Sequence, residues 1–239
     1  MMNAIPLKTT PHPSDWPAHT PRPEMKGKHL GVLAHTWFQP DKVDQMGPVF
    51  RTITDIAIEE PTGLALDANV SLQDPLHNMM YEEWEDYDEF FAVQLTRPYR
   101  MAFLRWLIPV MSAPISAEFY EIIGRAGRFA SGDQGGTGTL VLSIKLDAAV
   151  DAKARDQATD YLSTINADPD CCAATAMVSL NDPAHLVVVE RWKTADAFAA
   201  GPSANATRDA FASGFGPSSA ISAETYQVHY NPGRFEMPS

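Results

Sequence analysis

His35, Asn78 and Arg97 are the side chains of this chain best suited to moving a proton and steadying the anion left behind. Imidazole titrates nearest neutrality of all side chains, so His35 is the candidate base. An amide at Asn78 or a guanidinium at Arg97 can donate hydrogen bonds to an oxyanion. Trp37, Met80, Tyr81, Trp84 and Tyr99 complete the set. They are flat or adaptable side chains that suit a planar ligand. The chemistry open to such a group is acid–base work on an ionisable ring stacked between Trp37 and Trp84.

Strand alternation sorts these candidates. His29, Gly31, Leu33, His35 and Trp37 share one face of their strand. Asn78, Met80, Glu82 and Trp84 share one face of theirs, and His77, Met79, Tyr81 and Glu83 the other. The expected inward set is His35, Trp37, Asn78, Glu82 and Trp84. Plainer roles stand beside these. Glu82 and Glu190 can pair with Arg100 and Arg208 on a neighbouring helix, and Trp84 and Trp192 can pack. His77 and His185 sit at hairpin turns and read as structural. Arg97 and Tyr99 fit a solvated helix face equally well, and the methionines fit an adaptable core.

The elements that must position these residues occur twice. Ser71–Phe90 (SLQDPLHNMMYEEWEDYDEF) matches Ser179–Phe198 (SLNDPAHLVVVERWKTADAF), 108 residues later. The match continues from Arg100, Ala102 and Phe103 to Arg208, Ala210 and Phe211. ISAEFY at Ile115–Tyr120 meets ISAETY at Ile221–Tyr226. The alternation and helical spacing predict strands over 29–38, 64–72, 78–84 and 115–123, with helices over 43–57 and 87–111. Pro98 and Pro109 interrupt the second helix. In the second half the strands fall at 140–146, 175–180, 186–192 and 221–230, with helices over 150–165 and 195–215. Gln73-Asp74-Pro75 and Asn181-Asp182-Pro183 supply the hairpin turns. The order β-α-β-β-α-β twice is an α+β fold of tandem ferredoxin-like repeats. A lone repeat leaves one sheet face bare, so two four-stranded sheets are expected to face each other as an intramolecular pseudo-dimeric α+β barrel.

The halves are not equivalent. At the position of Asn78 the second half has Leu186, and its first strand brings Lys145 but no His or Trp. The first half is therefore expected to work and the second to support it. The expected divisions are a proline-rich arm at 1–28, with Trp16 as a candidate anchor; a first domain at 29–127; a Gly-rich linker at 128–138; a second domain at 139–231; and a tail at 232–239.

Composition narrows the rest. A net charge of −12 with no Lys/Arg cluster argues against nucleic acid and against anionic membrane surfaces. The N-terminus lacks the basic and apolar regions of a signal peptide, and the most apolar stretch, Met101–Met111, is too short to span a bilayer. Adjacent Cys171 and Cys172 read as buried thiols of a cytoplasmic protein. No phosphate loop, dinucleotide fingerprint, serine-nucleophile elbow or metal-ligand spacing is present.

Both copies resemble the antibiotic biosynthesis monooxygenase superfamily of dimeric α+β barrels, in the order turn, strand, Glu-x-Trp, helix-opening Asp and Phe, then Arg-x-Ala-Phe. The residues are DPLHNMMYEEWEDYDEF with Arg100-Met101-Ala102-Phe103, and DPAHLVVVERWKTADAF with Arg208-Asp209-Ala210-Phe211. The resemblance covers roughly residues 29 to 230, and the fused form resembles aromatic polyketide tailoring oxygenases. It implies oxidation of a hydroquinone- or anthrone-like polycyclic aromatic with molecular oxygen as co-substrate and no bound cofactor. A non-oxidative polyketide cyclase or isomerase, or a non-catalytic ligand-binding protein, is the alternative. Pairing of two pseudo-dimers and a separate flavin reductase stay open. Two departures matter. The helix after Glu-x-Trp has no His in either half, and Met80 and Val188 stand where some quinone-forming members carry Asn. The family's catalytic assignments therefore do not carry over, beyond Trp84 and Trp192 as cavity residues.

Overall fold

Among the described residues, eight strands lie over the expected ones, and the four expected helical stretches hold six α-helices, because 87–111 and 195–215 are each divided in two. They are seen in a computed structural model that describes residues 21–127, 136–200, 202–216 and 219–230. Most of the proline-rich arm (with Trp16), most of the expected linker, and the tail lie outside the described residues.

Two compact units emerge, one of residues 21–118 with 229–230 and one of residues 119–228. The first contains β1 (Leu30–Trp37), α1 (Met46–Ala57), β2 (Gly63–Ser71), β3 (His77–Trp84), α2 (Tyr87–Ala92) and α3 (Pro98–Leu107). β3 lies between β1 and β2 and is antiparallel to both. Pro98 occupies the first turn of α3, where its missing N–H costs nothing, and this splits the long helical stretch as the prolines require. β4 (Ser116–Gly127) begins in this unit and ends in the next.

The second unit contains β5 (Gly138–Lys145), α4 (Ala152–Ile165), β6 (Cys171–Ser179), β7 (His185–Trp192), α5 (Ala197–Ala200), α6 (Pro202–Ser213) and most of β8 (Ala220–Tyr230). Its strand order is β8-β5-β7-β6-β4, and the first four of these follow the ferredoxin-like arrangement. The fifth arises because Tyr120–Gly127 of β4 pairs with Ser179–Ala173 of β6. An otherwise unpaired edge of β6 is thereby satisfied.

In each unit one sheet face packs on helices. In the second, Leu140, Leu142, Ile144, Leu186, Val188 and Trp192 meet Ala158, Tyr161, Leu162 and Phe211. No helix among the described residues is long and apolar enough to cross a membrane.

Candidate functional site

Residues opposite one another in an antiparallel pair project to the same face. β1 and β3 pair with Trp37 opposite His77, His35 opposite Met79, Leu33 opposite Tyr81 and Gly31 opposite Glu83. His35 and Trp37 thus share a face with His77, Met79, Tyr81 and Glu83. β2 adds Asn69 opposite Met79 and Asp67 opposite Tyr81. Asn78, Met80, Glu82 and Trp84 take the other face, which packs on helices: Asn78 Nδ2 lies 3.8 Å from Met46 Sδ in α1, and Glu82 binds Arg100 in α3. The expected inward set is therefore divided between two faces. Alternation fixes which residues of one strand go together, but register decides how they combine with the next strand.

The face away from the helices holds the aromatic group. His35 Nδ1 is 3.0 Å from His77 Nε2, so one ring donates and the other accepts. Trp37 stacks on His77 with ring centroids 4.6 Å apart and planes within 6°. His35 and Trp37 are half-buried, and His77 is buried. Farther along, Asp67, Asn69, Tyr81 and Glu83 are each at most 1% exposed, and the Tyr81 hydroxyl donates to Glu83. Tyr81 thus shares the face of His35, but its hydroxyl is already engaged. His77, read as structural from its repeat in both halves, is the residue that sequence reasoning missed.

Trp84 is fully buried. Its indole N–H donates to Glu82 Oε2 at 2.8 Å, the Arg100 guanidinium donates to the same carboxylate at 2.8 Å, and that guanidinium lies 5.2 Å from the Trp84 ring centre. The second unit repeats this clasp: Trp192 and Arg208 both donate to Glu190 at 2.8 Å, and the Tyr161 hydroxyl donates as well. The repeated Glu-x-Trp and Arg therefore tie strand to helix. Trp84 and Trp192 are each fully buried, with the indole N–H satisfied inside the clasp.

Arg97, Tyr99 and Asn78 also stand apart from His35. Arg97 donates to Glu60 at 2.7 Å, and Tyr99 donates to Gln94 at 3.3 Å, at the start of α3. Burial raises the Tyr99 phenol above its ordinary pKa, the largest influence there. Asn78 is fully buried, and its Oδ1 has no hydrogen-bond partner among the described residues. Met80 faces the helices at 4% exposure. Of the candidates, the structure brings together His35 and Trp37, with Tyr81 farther along the same face.

The equivalent positions of the second unit hold Ser143 and His185, with Ser143 Oγ 2.7 Å from His185 Nε2. An open groove of about 430 Å³ between α4 and α6, lined by Tyr161, Ala206, Ala210 and Phe211 among others, contains none of the candidates. Among the described residues, no group of three His, Cys, Asp or Glu side chains could hold a metal ion.

Residues 138–212 match the family model of antibiotic biosynthesis monooxygenase. Three solved structures share the fold across most of the chain. A protein of Lactobacillus acidophilus NCFM, provisionally named a monooxygenase, is 9% identical with a TM-score of 0.70, over 86% of this chain and 96% of that one. One of Fusobacterium nucleatum subsp. nucleatum, named in the same way, is 10% identical with a TM-score of 0.74, over 89% and 98%. An anthrone oxidase-like protein is 14% identical with a TM-score of 0.59, over 86% and 93%. No curated protein matches the chain.

Proposed function

We propose that this chain, which carries an antibiotic biosynthesis monooxygenase domain over residues 138–212, is an oxygenase for hydroxylated polycyclic aromatics of the anthrone or hydroquinone type. Molecular oxygen is the co-substrate and no bound cofactor takes part. The observation that carries this reading is the His35–His77 pair with Trp37 stacked beside it, on the sheet face turned away from the helices.

In the His35–His77 pair one ring nitrogen donates and the other accepts, so a proton donor and a proton acceptor stand side by side. The pair therefore suits removal of a single proton from a phenol or an acidic ring methylene. Trp37, half-buried, offers a face on which the flat anion stacks. An electron-rich ring anion can pass an electron to oxygen. The balance then closes without a reductant: an anthrone methylene and O₂ give the quinone carbonyl and water.

The test is oxygen uptake by the purified, metal-free protein with 1,8-dihydroxyanthrone and model hydroquinones. One O₂ consumed per anthrone converted is expected, with a product heavier by one oxygen and lighter by two hydrogens. His35→Ala and His77→Ala should each lower kcat/KM by roughly 10²-fold or more, the scale of a lost general base. No uptake with any substrate, or a product of unchanged mass, would count against oxygenation, and the latter would favour a cyclase.

A further inference from the structure

The internal repeat gives one pair of strand positions two different chemistries. His35 and His77 of the first unit become Ser143 and His185 in the second, each 108 residues on. We propose that Ser143 and His185 form a nucleophile–base pair that takes an acyl group from an activated ester.

Ser143 Oγ lies 2.7 Å from His185 Nε2, the distance a serine needs to surrender its proton to an imidazole. Ser143 is half-buried, whereas His185 is 8% exposed and shielded from bulk water. The base is held in place. Its backbone N–H donates to the Asp182 carbonyl at 2.9 Å, in a turn fixed by the Asp182 carboxylate accepting from the Ala184 N–H at 3.0 Å. That carboxylate also pairs with Lys145 at 2.7 Å. Lys145 and the Ala184 N–H hold the Asp182 carboxyl below its ordinary pKa, and His185 contributes in the same direction. The Asp182 carboxylate is thus shared between Lys145, directly opposite His185, and the turn backbone, which fixes the turn that carries the imidazole. On the other side, β8 places Ser222 directly opposite Ser143. Opposite residues share a face with Cβ atoms about 5 Å apart, which makes Ser222 the candidate donor to a developing oxyanion.

The step balances within the ester and water. Oγ bonds the acyl carbon as its proton passes to Nε2. The bond from carbon to the leaving oxygen breaks, and that oxygen takes the proton. Water, deprotonated by the same imidazole, then releases the carboxylate and restores the serine. This chemistry is independent of oxygen and of the first unit's histidines.

The probe is p-nitrophenyl acetate with the full-length protein. Expected are release of p-nitrophenolate and, after acid quench and peptide mass analysis, one acetyl group on Ser143. Ser143→Ala should abolish the label and cut release by about 10²-fold or more. His185→Gln should do the same with an unchanged circular dichroism spectrum. Ser143→Cys, nearly isosteric, should still be acylated at position 143, which decides the matter should the alanine variant not fold. Acetylation confined to lysines, or release undiminished in Ser143→Ala, overturns the proposal.

Discussion

Tyr161 shows how one side chain ties pH to stability. Its hydroxyl donates to Glu190, a buried carboxylate that also accepts from Trp192 and Arg208. Burial, and then the charge of Glu190, push the Tyr161 phenol well above its ordinary value. An acid whose folded pKa is raised keeps its proton in the native state while the unfolded chain loses it above about pH 10. The native state then binds more protons, so the contribution is fully present below pH 10 and is lost as pH rises beyond it. Urea unfolding followed from pH 8 to pH 11 should therefore show stability falling more steeply in the parent than in Tyr161→Phe. At pH 8 that variant should be less stable by roughly 1.5–3 kcal/mol, the range for a hydrogen bond to a charged group. Equal slopes in alkali would remove Tyr161 from the account.

At the scale of elements, the order of strands and helices was legible because alternation, proline placement and the hairpin dipeptides are local signals. Pro98 heads α3, and Pro202 heads α6. The site was only partly legible, since alternation along β1 and β3 does not say which face of one continues the face of the other. Trp37 opposite His77, rather than opposite Asn78, is a register, and register depends on the whole hairpin. The same limit hid His77. Repetition made it look like scaffold, yet its partner changes from His35 to a serine between the units. Helix starts are local again. Asp151 accepts the Ala154 N–H at 2.8 Å at the head of α4, and Asp86 accepts the Glu89 N–H at 2.7 Å at the head of α2. Asp151→Ala should cost about 1 kcal/mol in urea unfolding, and Asp151→Asn should restore most of it. A neutral alanine variant would mean that α4 is fixed by its packing through Ala158, Tyr161 and Leu162 alone.

For the whole molecule, the repeat and the compact units do not divide the chain at the same point. The sequence match makes Ile115–Tyr120 the closing strand of the first copy, yet beyond Glu118 that strand belongs to the second unit. Tyr120–Gly127 forms a ladder with β6, and no other strand of that unit can replace it there, because β7 already occupies the opposite edge of β6. Cutting the chain after Gly127 therefore removes a strand from the unit that contains residues 138–228. The buried Met177 and Val178 of β6 lose their cover, and the β6 edge is left with unpaired N–H and C=O groups. The fragment 128–239 should accordingly be poorly soluble or oligomeric by size-exclusion chromatography, although it carries every residue of the family match. Mixed with fragment 1–127, it should give a discrete one-to-one complex with a cooperative unfolding transition. A monomeric fragment 128–239 with a cooperative melt of its own would show that the β4 ladder is dispensable and that the second copy folds as the sequence divides it.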